Sequence, residues 1–279
     1  MVNVFGEPVN SENANIAIFG DQNIRGQRGP PGKNAVEVGL WCPTGVMEMF
    51  RKDEQCTIFF NTGKDGLLYD KAKKVIGLKD QYGENHAICE HNFRKPIKVG
   101  KYYAIPLNDS LYKISDIKTA TEQPSICIIV LQFKVSGELT EDKDVYIICN
   151  ETLTRGVKIN KSNLTILGTD SMKLTYADED WNTLIIQYSY LKSNDGKCFF
   201  TLNGARGTFV HHKDVESSYD LYIGGTKEKK DFARVLLANF ELYWLGNPLP
   251  DPYLLPESIL NSIQYDLDDR VGDEKMEWN

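Results

Sequence analysis

Residues 125–135 read SICIIVLQFKV, and both of their alternating sets are largely apolar. A strand whose two faces are both apolar must be covered on both sides, so it belongs deep inside a layered β protein rather than at its surface. Other runs rich in Ile, Val, Tyr and Phe, bounded by Gly, Asn and Asp, surround it: CTIFF (56–60), GKYYAIPL (100–107), DVYIIC (144–149), LTIL (164–167), MKLTY (172–176), NTLIIQYSY (182–190), KCFFTLNG (197–204), DLYIGG (220–225) and RVLLANFELYWL (234–245). In NTLIIQYSY, by contrast, Gln187 and Ser189 alternate with Ile186, Tyr188 and Tyr190. Ten or more strands joined by short turns, with almost no helix signal, predict an all-β sandwich. The one helical pattern is PESILNSIQYDL (256–267), where Ile259, Leu260, Ile263 and Leu267 recur at helical spacing.

The N-terminal end is organised differently. Residues 1–19 are polar, with Asn3, Asn10, Asn13 and Asn15, and read as a flexible arm. The start lacks the basic residues and apolar run of a secretory signal. Residues 20–34 then divide into GDQ-NIR-GQR-GPP-GKN, with Asn23 interrupting the register. Glycine at every third place is what a collagen triple helix needs, because only hydrogen fits at its axis. Gly26, Gly29 and Gly32 are therefore candidate oligomerisation residues of a collagen-like stalk. So few triplets cannot hold a triple helix alone, so the downstream domain must trimerise with them. The organisation predicted is an arm (1–19), a stalk (20–34), a β domain (35–262) and an acidic tail (263–279).

Charge and cysteine usage narrow the function. A formal net charge of −7 argues against nucleic acid or an anionic membrane as partner. Lys227, Lys229 and Lys230 form only a local run, read as a solvated loop. No window approaches the ~18 apolar residues of a membrane helix. The six cysteines (Cys42, Cys56, Cys89, Cys127, Cys149 and Cys198) contain no C-x-x-C pair, which argues against zinc. Cys127 and Cys149 lie inside apolar runs and read as buried thiols, while Cys42, Cys56 and Cys89 stay open to pairing in an oxidising setting. The sequons at Asn108, Asn150, Asn160 and Asn163 are about as many as this Asn content yields by chance.

The order of features in the second half carries a resemblance. Trp181 opens the strand WNTLIIQYS; a polar turn and CFFTLNG follow, then LYIGG, then FARVLLANFELYW, then PLPDPYLLPESI. This order resembles the concanavalin A-like jelly rolls, nearest to their laminin G-like and pentraxin-like branch, over residues 125–262. Residues 40–120 match only loosely. Ala233-Arg234 stands near where those families often have glycine, and Asn182 where laminin G-like domains often have histidine. The residues carrying the resemblance read as structural. Trp181 is expected between the sheets. Asn203-Gly204 is expected as a hairpin turn, since both residues tolerate positive φ, and Gly224-Gly225 as a tight bend at a strand end.

Signatures of catalysis are missing. The paired carboxylates that glycan hydrolases of related folds carry on one apolar strand are not found here. The acidic runs EDKD (141–144), ADED (177–180) and DLDD (266–269) lie in turn-like surroundings. Asp178, Glu179 and Asp180 offer hard oxygens for Ca²⁺, which the resemblance makes conceivable, but no ligand motif maps onto them. His211-His212 reads as a surface loop. No G-x-S-x-G elbow or phosphate-binding loop occurs. The expectation is a non-enzymatic, trimeric head without cofactor, binding a glycan or protein receptor. Its place is a virion surface or the extracellular space. Collagen-like stalks combined with such heads occur in animal collagens, phage fibres and virus surface proteins. The polar arm favours a virus structural protein. The alternatives are an architectural capsid or assembly protein without ligand, and a glycan-cleaving enzyme of the same fold.

Overall fold

A computed structural model describes residues 57–60, 66–80, 83–99, 102–118, 126–168, 172–190, 196–211 and 218–245. The arm, the stalk with Gly26, Gly29 and Gly32, Cys42, Cys56, the helix expected over 256–267 and the acidic tail lie outside these residues.

The described residues form seventeen strands and no α-helix. In chain order they are β1 (Thr57–Phe60), β2 (Leu67–Tyr69), β3 (Val75–Leu78), β4 (Ala87–His91), β5 (Ile97–Val99), β6 (Tyr102–Pro106), β7 (Leu111–Lys118), β8 (Ile126–Val135) and β9 (Val145–Asn150). There follow β10 (Gly156–Ile159), β11 (Leu164–Ile166), β12 (Lys173–Leu174), β13 (Trp181–Ser189), β14 (Lys197–Leu202), β15 (Ala205–Val210), β16 (Ser218–Ile223) and β17 (Val235–Leu245). One sheet runs β15-β14-β13-β8-β17-β6-β5, with β1 also on β17; the other runs β12-β11-β10-β9-β16-β7-β4-β3-β2. Strands from 57–118 thus interleave with strands from 126–245 in both sheets. The chain is an all-β sandwich of two antiparallel sheets.

β8 explains the layering. Its odd residues Cys127, Ile129, Leu131 and Phe133 point into the main core, where they meet Leu184, Ile186 and Tyr188 of β13 and Phe240, Leu242 and Trp244 of β17. The second sheet supplies Ile114, Ile147, Val157, Leu164, Leu221 and Ile223 to the same core. Each such side chain stabilises the fold by roughly 1.5–3 kcal/mol through burial. The even residues Ile126, Ile128, Val130 and Gln132 are buried too, as a strand apolar on both faces requires. The alternation in β13 does not mark a solvent face, because Gln187 is only 2% exposed and Ser189 1%. On this outer face polar groups are met by polar groups. Gln132 Nε2 donates to Thr183 Oγ1, and Glu241 accepts from Asn239 Nδ2 and the Tyr243 hydroxyl.

Trp181 does not lie between the sheets. It is half-buried on the outer face, against Ala104, Leu236, Ile97 and Ala238. Strand parity is the reason: Leu184, Ile186 and Tyr188 face the core, so a residue an odd number of places away faces outward. Trp244 fills the core instead.

Two turns are set by backbone conformation. Asn203 (φ 50) and Gly204 (φ 82) join β14 to β15 in the manner of a type I′ turn. Asn203 also accepts a 2.8 Å bond from Thr183 N and donates to Asn182 Oδ1 at 2.9 Å, tying the turn to β13. Gly224 (φ 96) follows β16, and a Cβ there would stand 2.3 Å from the Ser110 carbonyl oxygen. Gly225 is less tightly confined, by the ring of Phe232 at 3.1 Å. No helix among the described residues is long and apolar enough to cross a membrane.

Candidate functional site

The two ends of the sandwich differ. At one end β8 starts, β17 finishes and the turn before β10 delivers Arg155 into the core. Asn150 builds that turn. Its Oδ1 accepts from the backbone N–H of Thr154 and Arg155, and its Nδ2 donates to the hydroxyls of Thr152 and Thr154. Asn150 is fully buried, so this sequon asparagine serves the turn.

Arg155 is 1% exposed. Its guanidinium carbon lies 4.8 Å from the ring centre of Tyr219, 5.4 Å from Tyr190 and 5.6 Å from Trp244, and its Nε donates to the Tyr190 hydroxyl at 2.6 Å. Trp244 Nε1 in turn donates to the Tyr219 hydroxyl. Burial pushes the phenols of Tyr188, Tyr190 and Tyr219 well above their usual range, keeping them neutral; Tyr188 donates to the Gly156 and Leu167 carbonyls. His211 joins this cluster instead of a surface loop. It is 2% exposed and meets Tyr188 and Tyr190 edge-on, with Nε2 3.0 Å from the Thr154 carbonyl oxygen. His212 lies outside the described residues. This end is filled.

The other end is hollow. Three loops meet there: 107–110 between β6 and β7, 136–144 between β8 and β9, and 224–234 between β16 and β17. They enclose a cleft of about 440 Å³. Its floor is apolar, from Leu139 and Val145. Asn108, Asp109, Glu138, Thr140, Lys143 and Asp231 bring polar groups to its walls. Phe232 adds a half-buried ring that stacks on His91 with centres 5.2 Å apart.

The polar groups are held in place. Asp109 sits at φ 59 and accepts from Asn92 Nδ2 at 2.6 Å, with His91 Nε2 at 3.3 Å and Arg94 Nη2 at 3.9 Å. Ser136 donates to Asn108 Oδ1 at 3.0 Å, and Arg94 Nε donates to the Asn108 carbonyl. Lys143 faces Asp231 at 3.8 Å. Arg234 donates Nη1 to the Glu138 carbonyl at 2.7 Å, immediately before β17 begins. Such an arrangement of fixed amide, carboxylate and guanidinium groups beside an aromatic ring is equipped to bind a polar ligand that also carries an apolar face.

The residues singled out from sequence do not gather here. Trp181, Asn203 and Gly204 belong to β13 and the β14–β15 hairpin, in the sheet that also holds β6, β8 and β17, but they do not line the cleft; Gly224 and Gly225 enter only by shaping the loop that carries Asp231 and Phe232. Asp178, Glu179 and Asp180 are exposed, and Asp180 caps the N–H of Trp181. Among the described residues no three His, Cys, Asp or Glu side chains are grouped to hold a metal ion. In EDKD, Asp144 pairs with Lys158 and Asn160. Lys227, Lys229 and Lys230 are exposed, with Lys229 near Glu90 at 3.5 Å. Cys127, Cys149 and Cys198 are buried free thiols, and burial pushes Cys149 up to about 12 and Cys198 up to about 11. Sequence reasoning missed the cleft because its walls come from three polar loops far apart in the chain. One available signal was Ala233-Arg234, near where the resembling families often have glycine.

No family model matches the chain, and no curated protein matches it. Solved structures do. The binding domain of botulinum neurotoxin serotype D/C VPI 5993 superposes with a TM-score of 0.50 at 10% identity, over 77% of this chain and 53% of that one. The binding domain of botulinum neurotoxin DC in complex with SialylT gives 0.49 at 12% identity, over 77% and 52%. Trypanosoma rangeli sialidase in complex with 2,3-difluorosialic acid gives 0.49 at 13% identity, over 78% and 33%. The chain therefore spans between a third and about half of the length of these structures. At such identities the likeness is one of fold: the class is the all-β sandwich, of the kind these binding domains contain.

Proposed function

We propose that this chain is a carbohydrate-binding β-sandwich whose glycan site is the cleft between loops 107–110, 136–144 and 224–234. The observation that carries the reading is the meeting of Phe232 with Asn108, Asp109, Asp231 and Arg234 around one apolar floor. Sugars offer hydroxyls to fixed donors and acceptors, and an apolar C–H face to an aromatic ring. A fold shared with a toxin's binding domain is in keeping with such a role. Binding rather than cleavage is proposed because Asp109 is tied to Asn92, His91 and Arg94, and Asp231 faces Lys143. These contacts support a reading of the two carboxylates as hydrogen-bond acceptors for a bound sugar.

The wider setting is part of the same proposal: a laminin G-like or pentraxin-like jelly roll forms the head. Gly26, Gly29 and Gly32 start a collagen-like stalk that makes it a trimer on a virion or in the extracellular space. The test of function is a glycan array with the full chain, followed by titration of the best binder against Asp109→Asn. Loss of about ten-fold or more in affinity, the size expected when a charged acceptor is removed, supports the cleft. Binding that Asp109→Asn leaves unchanged, or no binding to any glycan, overturns it. Release of reducing sugar from the bound glycan would instead make the chain an enzyme.

A further inference from the structure

Arg234 stands apart from the other cations of the cleft. Lys143 has Asp231 before it, and Arg94 has Asp109. Arg234 has no carboxylate partner among the described residues. Of the five N–H donors of its guanidinium, one is committed to the Glu138 carbonyl. Its position is nevertheless fixed. The backbone carbonyl of Arg234 accepts from Ser136 N at 2.9 Å, and β17 begins at the next residue. Its stem lies across Gly137: a Cβ at Gly137 would stand 3.2 Å from Cβ and 3.3 Å from Cδ of Arg234. Glycine at 137 thus leaves the space in which the arginine is laid down.

A guanidinium anchored by one backbone bond, with the rest of its fork turned to no carboxylate, suits a planar or tetrahedral acid group bound through two parallel N–H bonds. We infer that the glycan taken by this cleft carries such a group, a carboxylate or a sulfate, and that Arg234 reads it, with Gly137 as the residue that positions Arg234. This rests on the cleft being the glycan site. Asp109 and Asp231 then take hydroxyl donors of the sugar, and Phe232 takes its apolar face. Glu138, whose backbone carbonyl Arg234 holds, is exposed and adds a negative charge to the same loop, which opposes an acid group by like charge.

The experiment is calorimetric titration of the full chain with lactose, sialyllactose and sulfolactose. One acidic form should bind about ten-fold or more tightly than lactose at low salt, with the margin shrinking at about 0.5 M salt, because the site is open to solvent. The winning form names the acid group. Arg234→Met should erase the margin between the acidic sugar and lactose, and Arg234→Lys should keep only part of it, since a point charge lacks the fork. Gly137→Ala should narrow the margin by displacing the arginine stem, and Glu138→Gln should widen it. Equal affinity for all three sugars, or a margin that survives Arg234→Met, overturns the inference and leaves the cleft standing. If neither these sugars nor any glycan of the array binds, the cleft reading falls and the inference with it.

Discussion

The two ends of the sandwich are furnished from the same inventory, an arginine, a histidine and aromatic rings, and put it to opposite uses. At the filled end Arg155 lies under three rings and is 1% exposed, and His211 meets two tyrosines edge-on. At the hollow end Arg234 is exposed, His91 stacks on Phe232 at the rim, and the space between the loops is open. The difference lies in what fixes each arginine. Arg155 is held by side chains that themselves need it, so the set is stable only as a whole. Arg234 is held by one backbone carbonyl and a glycine, which leaves its donors available. Residue type alone does not decide the environment of each arginine; the supply of partners does.

The largest expected effect tests the filled end. Trp244→Ala removes a fully buried ring, its stacking on Tyr190 and its bond to Tyr219, and should cost about 3–5 kcal/mol in chemical denaturation. Arg155→Ala should also destabilise strongly, while Arg155→Met, which keeps volume and drops the charge, should cost less. A Trp244→Ala protein that melts like the wild type would break the comparison, because this end would then not be structural. Trp181→Ala comes next, at about 1–2 kcal/mol, since the ring is only half covered by Ala104 and Leu236. A loss as large as that of Trp244→Ala would return Trp181 to the interior.

The smallest effect belongs to neither end. On the second sheet Lys113 Nζ lies 2.6 Å from Asp220 Oδ2, and Asp116 N also donates to Asp220. Burial works to raise the Asp220 carboxyl, but the Lys113 bond and the Asp116 N–H outweigh it and hold the group below its ordinary value of 3.8. A depressed carboxylate stabilises the fold above its unfolded value, and the contribution disappears as pH falls through the folded one. Asp220→Asn should therefore cost up to about 1 kcal/mol at neutral pH and nothing in strong acid. A difference between the two proteins that grows on acidification would contradict this.

What could be read from the chain follows from where the information lies. β8, β13, β14, β16 and β17 were legible because their apolar runs are long and their hairpin residues, Asn203 and Gly204, require positive φ. β7 was not, because LYKISDIK is broken by Lys113 and by Asp116 at φ 51, where the pairing with β16 shifts register. β10 and β15 were missed for similar reasons: GVKI is short, and ARGTFV is largely exposed and carries a charge at its second residue. Trp181 was misplaced through disregard of parity with Leu184, which the sequence itself supplies. His211 was misplaced because its buried partners, Tyr188, Tyr190 and Thr154, are distant in the chain. The cleft has the same cause on a larger scale: only the fold brings Asp109, Glu138 and Arg234 together.

The division of labour between the ends is tested most directly by Phe232→Ala, with glycan affinity and unfolding free energy measured on the same preparation. The ring stacks on His91 and packs at the edge of the buried Leu111, Cys149, Leu167 and Tyr222 cluster, apart from the main core between the sheets. The account predicts a loss of affinity of about ten-fold or more, equivalent to ~1.4 kcal/mol, from the lost apolar face. It predicts a stability change within about 1 kcal/mol, well short of that for Trp244→Ala. Unchanged affinity together with a loss of stability as large as that of Trp244→Ala would contradict it, because the hollow end would then be as structural as the filled one.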